Sequence, residues 1–291
     1  MFKGTGTAII TPFLEDGGVD YNSLKNFIRF QIDNGVEMLI VLGTTGEAPV
    51  IEEDEREKII ATVVEANNGK AKVIVGTGTN STSHVVKNNT VAEKLGADGL
   101  LIVNPYYNKG TQASVYEHYK YIAEKTELPI ILYNVPSRTA MNMLPDTMLR
   151  IHSDCKNVVA IKEASGNISQ IAKLLAAAPE TLTVLSGNDD QTLPIMALGG
   201  KGVISVFSNV FPREMSDLTT AMLEGRNGDA LKIHNKYLDM MNLLFIETSP
   251  SPVKAACSIL GLCKNTLRMP LAPVSDRSCE LIRLAINKLK A

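Results

Sequence analysis

A lysine stands at the end of an unbroken apolar run, Val158-Val159-Ala160-Ile161-Lys162. A lysine is almost never fully buried without a reason. It ordinarily titrates near ~10.4, so little free amine exists at neutral pH. An apolar surround disfavours the ammonium. Lowering a lysine from about 10.4 to about 7.4 costs about 4 kcal/mol and raises its nucleophilic fraction about a thousandfold. A neutral amine adds to a ketone and forms an imine, which serves as an electron sink. On spacing alone, a structural reading stands beside this one: an ion pair with Glu47 or Glu163, or a side chain snorkelling to the rim. Tyr133 ends another apolar run, Ile130-Ile131-Leu132-Tyr133. Its phenol could shuttle protons, or simply be a satisfied buried hydroxyl. Gly43-Thr44-Thr45-Gly46-Glu47 offers two hydroxyls and backbone N–H groups that suit a small carboxylate, or a tight turn capped by Thr. Arg138, just past Pro136-Ser137, has the fork geometry for a second carboxylate, or is a solvated surface arginine.

Short β-branched runs alternating with helix-like segments must position these groups. Strands are expected at about 6–11, 38–42, 72–75, 99–103, 130–133, 158–161, 182–185 and 202–206. Several are continuous rather than alternating, the pattern of parallel strands covered on both faces. Between them, Asp20 precedes a helix at 21–34, Glu52 one reaching about 66, and Ser81 or Thr82 one reaching about 95; Pro145 suits a first turn. Eight strands alternating with helices in 291 residues favour an α/β fold closed as a (β/α)8 TIM barrel over an open doubly wound sheet. The barrel is read over residues 1–224. A C-terminal helical extension, 225–291, follows it and is not a separate functional domain. In such a barrel chemistry gathers where strands run into βα loops, and all four candidate groups fall there.

Composition removes other classes. The formal net charge is −2, from 29 basic and 31 acidic residues, so nothing favours nucleic acid or an anionic membrane. The N-terminus lacks a signal-peptide pattern and no apolar window is long enough to span a bilayer, so a cytoplasmic location is expected. Cys155, Cys257, Cys263 and Cys279 form no CxxC pair and are expected as reduced thiols. Gly76-Thr77-Gly78-Thr79-Asn80-Ser81 lacks the third glycine of a dinucleotide loop. Asn188-Asp189-Asp190, after the seventh strand, would repel phosphate; the two acids suit a solvated helix start. His84, His118, His152 and His234 do not cluster and are expected as surface or helix residues.

Three segments together, Gly43-Thr44-Thr45-Gly46-Glu47, Tyr133-Asn134-Val135-Pro136-Ser137-Arg138-Thr139 and Ile161-Lys162-Glu163-Ala164-Ser165-Gly166, resemble the signatures of the dihydrodipicolinate synthase family. Asn104-Pro105-Tyr106-Tyr107-Asn108 and Gly202-Val203-Ile204-Ser205-Val206 add to the likeness, which spans essentially the whole chain. The resemblance implies a lyase that condenses pyruvate with L-aspartate 4-semialdehyde to 4-hydroxy-tetrahydrodipicolinate, the first committed step toward diaminopimelate and lysine. It implies that Lys162 carries the imine. Tyr133, Thr44 and Tyr107 would form a proton relay, Tyr107 reaching in from a neighbouring subunit. Thr45 would hold the pyruvate carboxylate, Arg138 the carboxylate of the semialdehyde, and Gly187 and Ile204 would line the pyruvate pocket through backbone groups. A homotetramer, a dimer of dimers, with no organic cofactor and no catalytic metal, is also implied.

The sequence departs from lysine-inhibited members. Ala48-Pro49, Glu53 and Arg56 stand where those members use small polar, histidine and acidic residues, and His84 stands where they carry an acid, although Asn80 and Tyr106 match. A cationic effector gains nothing from Arg56. Lysine feedback is therefore expected to be weak or absent, and tight inhibition by sub-millimolar lysine would contradict this. Two rivals remain at this level. A sugar-acid aldolase of the wider superfamily would keep Lys162, Tyr133 and the 43–47 loop, but a polyhydroxylated tail would want hydroxyls in place of Arg138. A non-catalytic metabolite-binding barrel would need no reactive amine.

Overall fold

The computed structural model describes residues 2–290. Eight parallel strands close in sequence order into a barrel: β1 (Gly4–Ala8), β2 (Met38–Val41), β3 (Lys72–Gly76), β4 (Gly99–Val103), β5 (Ile130–Asn134), β6 (Val158–Glu163), β7 (Thr183–Ser186) and β8 (Gly202–Ser205), with β8 pairing back to β1. The continuous apolar runs follow from this closure, because each strand is buried on both faces. One set of side chains fills the barrel: Met38, Ile40, Ile74, Leu101, Ile131, Tyr133, Ala160, Leu185 and Ile204. The alternate set, including Leu39, Val73, Leu100, Leu132, Ile161 and Val184, packs outward against the helices.

Helix starts follow the side-chain signals. Asp20 accepts the Ser23 N–H at 3.0 Å and starts Tyr21–Asp33. Glu52 and Glu55 form a reciprocal capping box at the head of Glu53–Asn67. Ser81 precedes Thr82–Lys94 but makes no capping bond. Beyond β8 the helices Pro212–Leu223, Asn227–Leu243, Ser251–Ile259 and Asp276–Lys290 pack on the barrel's flank and on one another.

Two strands differ from the sequence reading by two residues or more at an end. β1 lies over 4–8 rather than 6–11, because the Asn209 side chain takes the Ile10 amide at 3.1 Å and Pro12 has no amide to give. β6 runs on through Lys162 to Glu163, since Lys162 pairs with both Tyr133 and Leu185 and Glu163 with Asn134 and Ser186. Lys162 is therefore a strand residue with its backbone fixed by neighbours on both sides.

Candidate active site

Strand alternation decides where Lys162 points. Ala160 and Ala164 face the barrel interior while Ile161 faces out, so the intervening Lys162 faces in between two small side chains. It is 5% exposed, and its Nζ lies 4.2 Å from the centre of the Tyr133 ring, its register partner on β5. Gly187 closes the other side: a Cβ there would lie 3.1 Å from Lys162 Cε. Neither suggested ion pair forms. Glu47 is bonded to Lys254, and Glu163 faces outward, where it accepts the Ser165 N–H at 2.7 Å and the Asn134 amide at 3.1 Å. Among the described residues Lys162 has no carboxylate within ion-pair distance.

The outward faces of β4, β5 and β6 are tied together behind the reacting groups. Tyr119 donates to Asn104, Asn104 to Asn134, and Asn134 to both Glu163 oxygens and to Asn142. Burial pushes the Glu163 carboxyl up, opposed by its bonds from Ser165 and Asn134. This buried chain locks the strand ends that carry Tyr133 and Lys162.

A cavity of about 240 Å³ opens at this end of the barrel, lined by Gly43, Thr44, Tyr106, Tyr133, Arg138 and apolar neighbours including Leu101 and Val103. The 43–47 segment is a 3₁₀ turn over Thr44–Gly46. The Gly46 and Glu47 amides turn inward to the Gly43 and Thr44 carbonyls, and Thr11 Oγ1 donates to the Gly46 carbonyl at 2.7 Å. The Thr44 and Thr45 amides are left without a protein acceptor among the described residues. Thr45 is buried and Thr44 is half-buried at the cavity wall. Gly76 is required here, because a Cβ would collide with the Leu42 carbonyl. Arg138, on the one-turn helix Pro136–Thr139, stands exposed at the rim and donates to the Ser249 carbonyl at 3.2 Å. Ile204 is buried inside the barrel on β8.

The structure thus gathers Lys162, Tyr133, Thr44, Thr45, Arg138, Gly187 and Ile204 at one end of the barrel. Tyr107 is the exception. It follows β4 with φ of 70° and is 91% exposed, its side chain outside the cavity of its own chain. Arg56 bonds to the Ala48 carbonyl at 3.2 Å, and burial pulls its guanidinium down.

One polar assignment from the sequence is corrected. Asp189 is not solvated: it is 3% exposed, and Oδ2 accepts the Val206 and Phe207 amides at 3.1 and 2.9 Å while Oδ1 has no hydrogen-bond partner among the described residues. Burial pushes its carboxyl up to about 6, opposed by the Ser205 hydroxyl, those two amides and the charge of Lys162. Only Asp190, on the same turn, is exposed. His118 and His234 lie in helices as expected but are buried. His118 Nδ1 pairs with Thr82 Oγ1 at 2.9 Å, and desolvation pulls the ring down to about 4. Acid pairs read alike in sequence, so nothing short of the fold distinguished Asp189 from Asp190. Among the described residues no three His, Cys, Asp or Glu side chains converge as a metal site, and no helix is long and apolar enough to cross a membrane.

Comparison with known proteins agrees with this geometry. Residues 1–288 match the model of the dihydrodipicolinate synthetase family. The 4-hydroxy-tetrahydrodipicolinate synthase of Thermotoga neapolitana is 53% identical over 97% of this chain and 97% of its own. The crystal structure of dihydrodipicolinate synthase from Thermotoga maritima superposes with a TM-score of 0.98 at 48% identity, covering 100% of this chain and 99% of that one. That from Aquifex aeolicus gives 0.97 at 46% identity, over 99% and 98% of the two chains. An amine faced by a phenol at the mouth of a closed parallel barrel, matched along nearly its whole length by these relatives, places the chain in the dihydrodipicolinate synthetase family.

Proposed function

We propose that the chain condenses pyruvate with L-aspartate 4-semialdehyde to 4-hydroxy-tetrahydrodipicolinate through an imine on Lys162. The Lys162 amine adds to the pyruvate ketone, and loss of water gives the imine. Loss of a methyl proton then gives an enamine, whose carbon attacks the aldehyde and forms the new C–C bond. The substrate's own amine displaces Lys162 and closes the ring. Tyr133 hands protons to and from the carbinolamine oxygen, with Thr44 and a neighbouring subunit's Tyr107 continuing the relay. Thr45 and the free amides of the 44–46 turn hold the pyruvate carboxylate. Gly187 and Ile204 shape the pyruvate pocket through their backbone. Arg138 binds the carboxylate of the semialdehyde, which favours a short acidic aldehyde over a sugar acid.

The observation that carries this reading is the buried Lys162 amine 4.2 Å from the ring of Tyr133, without a carboxylate partner among the described residues, Tyr133 lining a cavity that also presents Thr44 and Arg138. Borohydride reduction in the presence of pyruvate tests it. Intact mass should rise by one reduced pyruvate adduct, mapped to Lys162 by peptide mass, and Lys162→Ala should show none. An unmodified wild-type chain would sink the imine mechanism.

The working form is read as a homotetramer, as the resemblance to the family implies, and an exposed Tyr107 that only a second chain could bring to a cavity supports assembly. The location is read as cytoplasmic from four free thiols, the usual state in a reducing compartment, and cell fractionation tests it.

A further inference from the structure

Lys254 is 0% exposed, and no step of the condensation uses it. It lies on the helix Ser251–Ile259, in the C-terminal extension, far along the chain from the cavity residues. Its Nζ donates to Glu47 Oε1, both side chains being fully buried, and lies 3.9 Å from the centre of the Phe13 ring. The other Glu47 oxygen accepts the Arg268 backbone N–H at 3.1 Å. The Arg268 side chain is itself fixed, bidentate to Glu55 at 2.6 Å twice and donating to the Gly17 and Val50 carbonyls. The extension therefore holds both oxygens of Glu47.

Glu47 closes the turn that presents Thr44 and Thr45. It does so at φ of 56°, and Leu42 precedes the turn at φ of 55°. Left-handed backbone is costly for residues with a Cβ and persists only where the surroundings dictate it. The 44–46 turn, bracketed by two such residues, does not hold its shape by local preference. A buried ion pair is a poor source of stability, since a well-packed apolar pair often serves as well. What such a pair supplies is direction: Lys254 can satisfy Glu47 from one side only, and Arg268 from another.

We propose that Lys254 and Glu47 are positioning residues, through which the C-terminal extension sets the Thr44–Gly46 turn and hence the affinity for the pyruvate carboxylate. This rests on reading that turn as the pyruvate site. Burial pulls the Lys254 ammonium down while Glu47 holds it up, consistent with a pair maintained against its desolvation cost.

The test compares wild type, the apolar double variant Lys254→Met/Glu47→Leu, and Lys254→Arg, which keeps the charges and changes the reach. Thermal melts report folding. Borohydride trapping against pyruvate concentration reports half-saturation, and steady-state kinetics report KM for the semialdehyde. The double variant should melt near wild type, raise pyruvate half-saturation about tenfold or more, and leave the semialdehyde KM within about twofold. Lys254→Arg should raise half-saturation about threefold or more with the same split; it keeps the test decisive if the double variant does not fold. Folded variants that saturate with pyruvate as wild type does would overturn the positioning role and leave the imine intact. A wild-type chain that traps no pyruvate would overturn both readings together.

Discussion

Lys162 and Lys254 are both buried, and their neighbours give them different work. Lys254 is spent on Glu47, whereas Lys162 meets an aromatic face, two alanines and a glycine. The first arrangement is an ion pair, and the second leaves Nζ without a carboxylate among the described residues. Asp189 adds a titrating group to the site at the residue scale. Its carboxyl sits at about 6 in the fold against 3.8 for the free side chain. A raised acid binds more protons in the folded state between those values. Its contribution to stability is therefore complete below pH 4 and is lost as pH climbs through 6, a swing of about 3 kcal/mol. His118, pulled down to about 4 from 6.5, works in the opposite sense over the same window and loses stability as pH falls. Asp189→Asn keeps an oxygen for the Val206 and Phe207 amides and removes the titration. Chemical melts between pH 4 and 8 should show the variant gaining on wild type as pH rises. A difference that stays constant with pH would show that Asp189 does not titrate there.

The site depends on where strands stop and how closely their loops approach. Glu163 extends β6 by pairing with Asn134 and Ser186, which carries Lys162 into the sheet and fixes its inward direction. After β2 the chain turns sharply through Leu42, and Gly76 at the end of β3 lets the Leu42 carbonyl lie against its backbone. Gly76→Ala should displace that contact at a cost of about 1–3 kcal/mol. Pyruvate half-saturation should weaken with it, because the 44–46 turn hangs from the same backbone. Denaturant melts with a trapping titration check this, and an unchanged midpoint would mean that the turn yields freely. Strands and helices themselves were legible from the residues. The unbroken runs at 38–42, 99–103 and 130–133 mark strands buried twice over, and Asp20 and Glu52 mark helix starts. The end of β1 was not, since Asn209, some two hundred positions away, takes the Ile10 amide.

Closure of the barrel is the property of the whole molecule that makes a site of separate segments. Residues 44, 133 and 138 share a cavity, with Lys162 beside Tyr133 at its wall, because β2, β5 and β6 end on the same rim. The extension then packs around the flank, reaching Arg138 through Ser249 and Glu47 through Lys254. Tyr107 is the group that a single chain leaves outside. A structure described as that of a monomeric dihydrodipicolinate synthase variant superposes with a TM-score of 0.97 at 48% identity. If Tyr107 serves a neighbour, sedimentation at assay concentration should give a tetramer, and Tyr107→Phe should lower kcat with little change in pyruvate half-saturation. A fully active monomer would remove Tyr107 from the relay.

The residues by themselves determined the alternation of elements and the strand count, and marked a lysine and a tyrosine at strand ends as candidates for the chemistry. Each of these is written locally, in the period and punctuation of runs of a few residues. Only the tertiary structure decided which carboxylate met which amine. Glu47 could have paired with Lys162 as far as the sequence went, and Asp189 could have been solvated like Asp190. Pairing and burial are set by segments that meet only when the barrel closes and the C-terminal helices fold back on it, and no local pattern encodes that meeting.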